Sequence, residues 1–191
     1  MQALQTYFQQ AGFSKAESEQ ITSCFQPKNF ETGEYFIREG QTCAFLGFIA
    51  SGVFQHFVID DKGEERSTYV AVEHNFLSSL LSFIHSEPSR ENIRCVATAE
   101  VWQIEKTHWQ ALQTRIPGFP AFYIGMLEYL IACIERSRFD FITLNAEERY
   151  AKMLREEPEL LQRIPLQYLA AILGVTPRHL SRIRGRRAAT R

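Results

Sequence analysis

The sequence predicts an α+β chain: an antiparallel β-roll in its first half, a long central helix, and a C-terminal pair of short helices. Three observations predict it. Short segments rich in aromatic and β-branched residues recur between turn signals over residues 34–105. A stretch of helical apolar periodicity runs through residues 122–139. Residues 165–184, PLQYLAAILGVTPRHLSRIR, meet the packing demands of two helices joined by a tight turn. The length of 191 residues suits one large domain or two modest ones. A composition 45% hydrophobic and 13% aromatic, with 15 Phe, is enough to build a core and excludes a largely disordered chain.

Residues 4–11 and 18–24 read as short helices. A different texture begins at residues 29–31. Residues 34–38, 43–50, 52–59 and 65–72 read as strands, separated by Gly33, Gly40, Ser51-Gly52 and the turn at 60–63. That last interval, Asp-Asp-Lys-Gly, reads as a hairpin turn. A further strand pair is expected at 93–97 and 100–105, divided near Thr98-Ala99. Many short strands at turn-marked intervals favour an antiparallel roll over βαβ units. Between the strand groups, residues 73–92 mix a short apolar helix with a polar loop. Such an insertion either plugs the roll with Phe76, Leu80 and Phe83 or carries a binding function.

Residues 107–114 read as a short helix, after which Pro117 and Pro120 interrupt or initiate helical structure. In the stretch 122–139, Tyr123, Leu127, Leu130, Ile134 and Ser137 fall at alternating four- and three-residue spacing, and Met126 and Ile131 widen the stripe. The period fits packing on a partner subunit or on the chain's own roll. A stripe this apolar beyond a compact roll favours a parallel dimer seam. Asn145 then reads as an N-cap with Glu148 in the capping-box position. The following helix presents Tyr150, Ala151 and Leu154 and ends at Pro158. Glu147, Glu148, Glu156 and Glu157 mark a solvated face rather than paired catalytic carboxylates.

Charge is segregated along the chain. Residues 1–159 carry 22 acidic and 14 basic side chains, whereas residues 160–191 carry none and 7. A basic tip on an acidic body suits a polyanion, because phosphates attract the tip while the body stays soluble. Four cysteines (Cys24, Cys43, Cys95 and Cys133) lie far apart with no C-x-x-C pair, so they read as buried thiols in a reducing cytosol. No metal or cofactor is expected. The roll half holds only His56, His74, His85 and His108 among histidines, with no H-x-H pair, which disfavours a metalloenzyme. Residues 1–11 lack a basic segment followed by an apolar run. The apolar stretch at 119–134 is too short for a membrane span and contains Glu128. A soluble cytoplasmic protein is expected.

The sharpest signal is at residues 165–184. Pro165 starts a helix with apolar Leu166, Leu169, Ala170 and Leu173. Gly174 ends it, Val175 fills the turn, Thr176 caps a second helix, and Pro177 takes its first position. Leu180 and Ile183 return to the core. Alanine, glycine four residues later and leucine six beyond that are the requirements of a helix-turn-helix, here beside a basic surface. DNA binding follows. The second helix is expected to enter the major groove by its N-terminal turn. Arg182 is the first choice as base reader, since its fork matches guanine O6 and N7. Arg178 reads a base or grips a phosphate, and Thr176 and Pro177 offer the helix terminus to phosphate. His179 and Ser181 are secondary contacts. Arg184, Arg186, Arg187 and Arg191 clamp phosphates or form a loosely attracted tail.

The arrangement resembles the Crp/Fnr family of bacterial transcription regulators, in particular its short Bacteroidetes-like members. The resemblance rests on Asn-Ala-Glu-Glu-Arg-Tyr at 145–150, on 165–184, and more loosely on FETGEYFIREG at 30–40. It implies a cyclic-nucleotide-binding-like sensor domain over 1–116, a central dimerisation helix over 117–141 and a winged helix-turn-helix over 142–191. The implied partners are double-stranded DNA with two-fold-related half-sites, a second copy of the chain through Tyr123, Met126, Leu127, Leu130, Ile131 and Ile134, and RNA polymerase if the protein is an activator. Phe76, Leu77, Ser78, Ser79, Arg90 and Arg94 match the region that holds a small-molecule effector in relatives. The Gly-Glu pair and the Arg-small-small run of nucleotide-binding relatives are absent there. An unidentified effector is therefore favoured, with a cyclic-nucleotide-responsive regulator as the alternative. Many relatives carry an acidic residue where this chain has Arg178. Because an acid accepts from cytosine and arginine does not, the DNA target is not transferable.

Overall fold

The structure, a computed structural model, describes residues 1–156 and 158–188. The chain forms two compact units, Met1–Gly125 and Met126–Arg191.

The first unit opens with α1 (Gln2–Gln10) and α2 (Lys15–Thr22). Ser14 fixes the start of α2. Its hydroxyl accepts the Glu17 amide at 3.2 Å and its own amide donates to the Glu17 carboxylate at 2.9 Å. Leu4, Phe8 and Ile21 are fully buried.

The strands are β1 (Gln26–Phe30), β2 (Tyr35–Ile37), β3 (Phe45–Ile59), β4 (Glu65–Ala71), β5 (Phe76–Leu77) and β6 (Asn92–Glu105). All pairings are antiparallel, in the order β1-β6-β3-β4, with β2 also on β6 and β5 on β3. The spine is β3 against β6, running from Phe45 opposite Glu105 to Phe57 opposite Asn92. The sequence expectation of separate strands at 43–50 and 52–59, and at 93–97 and 100–105, is corrected here. Each pair is one long strand whose register shifts between Ile49 and Phe54. Gly52 makes the bulge rather than a turn. Its φ is +102°, and an added Cβ would lie 2.3 Å from the Ala99 Cβ, so only glycine admits the two strands at this approach. The strand β1 begins before the expected change of texture at residue 29.

The hairpin at 60–63 forms as expected. The Asp60 amide donates to the Glu64 carbonyl at 2.9 Å. The Asp60 carboxylate accepts from the Glu64 amide and from Arg66 Nε, which hold its pKa below the usual carboxylate range.

Residues 73–92 need a second correction. Phe76-Leu77 is a strand on β3, and the helix is the shorter α3 (Leu80–His85). Phe83 and Leu77 are buried, whereas Phe76 and Leu80 are half-buried. Next come α4 (Lys106–Arg115) and the 25-residue α5 (Phe119–Thr143). Buried Trp109 of α4 joins these elements, with ring centroids 4.8 Å from Phe119, 5.6 Å from Tyr123 and 5.9 Å from Phe76. Phe8 and Phe13 pack on Phe122 beside it.

In the second unit, α5 is followed by α6 (Ala146–Glu156), α7 (Pro158–Arg163), α8 (Leu166–Ile172) and α9 (Pro177–Ala188). Asn145 caps α6 as expected: its side-chain oxygen accepts the Glu148 amide at 3.0 Å, and its amide donates to the Glu148 carboxylate at 2.8 Å. Pro158 not only ends α6 but opens α7, since proline is well placed at a helix's first position. Tyr150, Ala151, Ile164, Leu169, Ala170, Leu173, Leu180 and Ile183 form the buried core. Among the described residues no strand follows β6, so the implied wing is not among them. Glu157 and Arg191 lie outside the described residues, as does the side chain of Arg187.

Candidate nucleic-acid interface

The turn between α8 and α9 is set by the sequence at 170–177. The Gly174 amide donates to the Ala171 carbonyl at 3.0 Å, and the Val175 amide to the Ala170 carbonyl at 2.9 Å. This double bond pattern closes α8 and needs a left-handed residue, which Gly174 supplies at φ +68°. Thr176 Oγ1 then accepts the His179 amide at 3.2 Å and Pro177 opens α9. Ala170 is fully buried where the two helices meet. Gly174→Ala is expected to destabilise this unit by about 1–2 kcal/mol, the cost of left-handed backbone for an L-residue. Thermal unfolding of wild type against Gly174→Ala checks it, with Gly174→Asn losing less.

Burial of Leu180 and Ile183 fixes which side of α9 faces out. Arg178, Ser181, Arg182, Arg184 and Arg186 are exposed, as are Thr176 and Pro177, while His179 is half-buried. Arg178 and Arg182 stand four residues apart, one above the other on the outer face. Arg186, exposed like the others, donates to Glu147 at 2.8 Å. The first turn of α9 holds no acidic residue, so the helix terminus and Arg178 present one sign of charge, with Arg182 one turn further on.

The six candidate effector residues are dispersed in role. Phe76 packs among Tyr7, Phe48 and Trp109, and Leu77 is core. Ser78 Oγ donates to the Phe45 carbonyl at 3.2 Å. The Ser79 hydroxyl is buried 2.9 Å from that of Ser89, next to exposed Arg90. Arg94 is held by Glu65 at 2.6 and 2.9 Å and by Gln55 at 2.9 Å, with its guanidinium over Phe57. Its charge is thus answered within the sheet. Sequence reading did not single out a set of buried polar side chains on β3, β6 and the 73–92 segment. His56 Nδ1 is 3.1 Å from Glu91, and Ser82, Ser89 and Asn92 are buried, with Asn92 accepting the Glu39 amide at 3.1 Å. Its members come from strands and loops far apart in sequence, so no local spacing announces it.

Cys43 and Cys95 are buried as expected, but Cys24 and Cys133 are half-buried, and all four are free thiols. Burial pushes the Cys95 thiol up to about 11, which keeps it protonated. Among the described residues no group of three or more His, Cys, Asp or Glu is placed to hold a metal ion, and no helix is long and apolar enough to cross a membrane.

On α5, Tyr123 belongs to the first unit's aromatic core through Trp109, and Met126, Leu127 and Leu130 are half-buried. Ile131 and Ile134 are exposed at 62% and 59%, and Ile124, Phe139 and Ile142 are exposed with them.

Residues 27–115 match the family model of the cyclic nucleotide-binding domain. No curated protein matches the chain in sequence. Among solved structures, the c-di-GMP responsive global regulator CLP of Xanthomonas campestris is 20% identical with a TM-score of 0.71, the match covering 93% of each chain. FixK2 of Bradyrhizobium japonicum is 13% identical with a TM-score of 0.74, over 87% of this chain and 85% of that one. The catabolite activator protein of Thermus thermophilus is 21% identical with a TM-score of 0.58, over 94% of this chain and 85% of that one. The chain therefore has a Crp/Fnr-like fold, in which a β-sheet domain matching the cyclic nucleotide-binding model precedes a long helix and a C-terminal helical unit.

Proposed function

We propose that the protein is a homodimeric, sequence-specific DNA-binding transcription regulator of the Crp/Fnr family, of the short Bacteroidetes-like type, acting in the cytoplasm and carrying out no catalysis. In this reading residues 1–116 are the sensor, 117–141 the dimerisation helix and 142–191 the DNA-binding domain. The observation that carries it is the outer face of α9: Arg178, Ser181 and Arg182 are exposed on the side opposite buried Leu180 and Ile183. An exposed pair of arginines at the start of a short, well-capped helix fits the major groove. Thr176, Pro177, His179, Arg184 and Arg187 supply the flanking contacts. If the protein activates transcription, RNA polymerase is a further partner.

Arg182→Ala tests the reading. The variant is expected to lose about 1–3 kcal/mol of discrimination between selected and scrambled DNA, read by competition binding at fixed salt. Equal weakening on both DNAs would make Arg182 a phosphate contact instead.

The match of residues 27–115 favours a second reading, a regulator responsive to a cyclic nucleotide. Against it, the phosphate-binding pattern is missing and Arg94 is answered by Glu65. Calorimetry with cyclic AMP, cyclic GMP and cyclic di-GMP separates the two, and absence of saturable heat removes the second for those ligands.

A further inference from the structure

Arg149 lies in α6, yet both of its terminal nitrogens leave that helix. Nη1 donates to the Leu144 carbonyl at 2.5 Å and Nη2 to the Leu173 carbonyl at 2.7 Å. Leu144 is in the link after α5, and Leu173 is the C-cap of α8, immediately before the helix-turn-helix turn. A single planar fork therefore satisfies carbonyls at two helix C-terminal ends, where a cation is also favoured by the helix dipoles. The guanidinium lies over the Phe141 ring of α5 at 4.4 Å. The same ring stands against Gly174, where an added Cβ would come within 3.0 Å of its edge and 3.7 Å of Arg149 Nη2. Lys152 of α6 pairs with Asp140 of α5 at 2.5 Å and reinforces only the α5 side.

We infer that Arg149 is the positioning residue that fixes the direction in which α9 is presented from the end of α5, and so sets which half-site spacing the dimer accepts. The inference rests on the DNA-binding dimer proposed above. In a dimer joined along α5, the path from the seam to each recognition helix crosses the non-helical link at 144–145 and then the turn at 173–176. The link's other hydrogen bonds are local, the Asn145–Glu148 cap and the Leu144 amide on the Asp140 carbonyl, and none of these reaches α8 or α9. The Arg149 fork holds both ends of that path at once. Lysine carries all its donors on one nitrogen, so it cannot set two separate nitrogens on the two carbonyls as the planar fork does, nor lie flat over the Phe141 ring.

The test is full-length Arg149→Lys on the DNA that wild type selects, with the spacer between half-sites changed by one and two base pairs. Wild type is expected to lose affinity about tenfold per base pair, since each step both shifts and rotates the second half-site. Arg149→Lys is expected to keep its affinity for the selected spacing within a few fold and to flatten the penalty below about threefold. Hydrogen exchange at 138–146 and 173–177 is expected to quicken together. An unchanged spacing penalty overturns the inference, as does uniform weakening on every spacing and on an isolated half-site. If Arg149→Lys loses its helical circular dichroism, Phe141→Leu, which withdraws the ring beneath the fork, is measured after its dimeric mass is checked. A partial flattening is then expected, and an unchanged penalty is contrary. Wild type that selects no DNA would fail the regulator reading, not this tie. The exchange measurement then decides alone: joint acceleration of both segments supports the tie, and unchanged protection refutes it.

Discussion

Glutamate at both Ile131 and Ile134 is expected to convert the proposed dimer to a 22.1 kDa monomer. Both side chains are more than half exposed, so the single chain loses little core by the change. In the proposed dimer each isoleucine covered by a partner would contribute about 1.5–3 kcal/mol, and the seam would hold each of them twice. The four introduced carboxylates would also face one another. Dissociation is expected to strengthen by well over about a hundredfold, since every 1.4 kcal/mol is a factor of ten. Sedimentation of wild type and variant reads the change, with circular dichroism confirming that the fold survives. Binding to DNA carrying two half-sites should fall with it, while contact with one half-site persists. Unchanged mass would place the dimer contact elsewhere or remove it.

Trp109→Ala is expected to cost the first unit about 3–5 kcal/mol, the range for truncating a buried aromatic. Trp109 is 1% exposed and its ring meets Phe76 of β5 and Phe119 and Tyr123 of α5. Its loss leaves a cavity where strand, helix and long-helix start converge. Urea unfolding followed by tyrosine and backbone signals measures the change. A loss below about 1 kcal/mol would show that these rings close over the gap.

Local chemistry made the helix-turn-helix legible. Gly174, Thr176, Pro177, Leu180 and Ile183 each meet a requirement set by residues within a few positions, and each takes the expected place. Asn145 with Glu148 was readable for the same reason. The strands were legible as texture but not in length, because Ser51-Gly52 and Thr98-Ala99 look like turns until the facing strand is known. There Gly52 meets Ala99 across the pair and the chain bulges instead of reversing. Phe76-Leu77 misled for a related reason: an apolar run of this length fits a strand or a helix, and the partner Gly47-Phe48 decides it. The surroundings of the candidate effector residues were least legible. Glu65 reaching Arg94, and Glu91 reaching His56, are long-range pairings created by the sheet, with no spacing in the sequence to reveal them. The pairing of Arg186 with Glu147 is likewise long-range and has no spacing to reveal it.

The most direct measurement is selection of genomic DNA fragments by the full-length protein, followed by footprinting of the enriched sites. A dimer that presents Arg178 and Arg182 from two α9 helices should protect two-fold-related half-sites about one helical turn apart, and Arg182→Ala should weaken that preference. Fragments recovered without a shared sequence, or protection indifferent to Arg178 and Arg182, would contradict it.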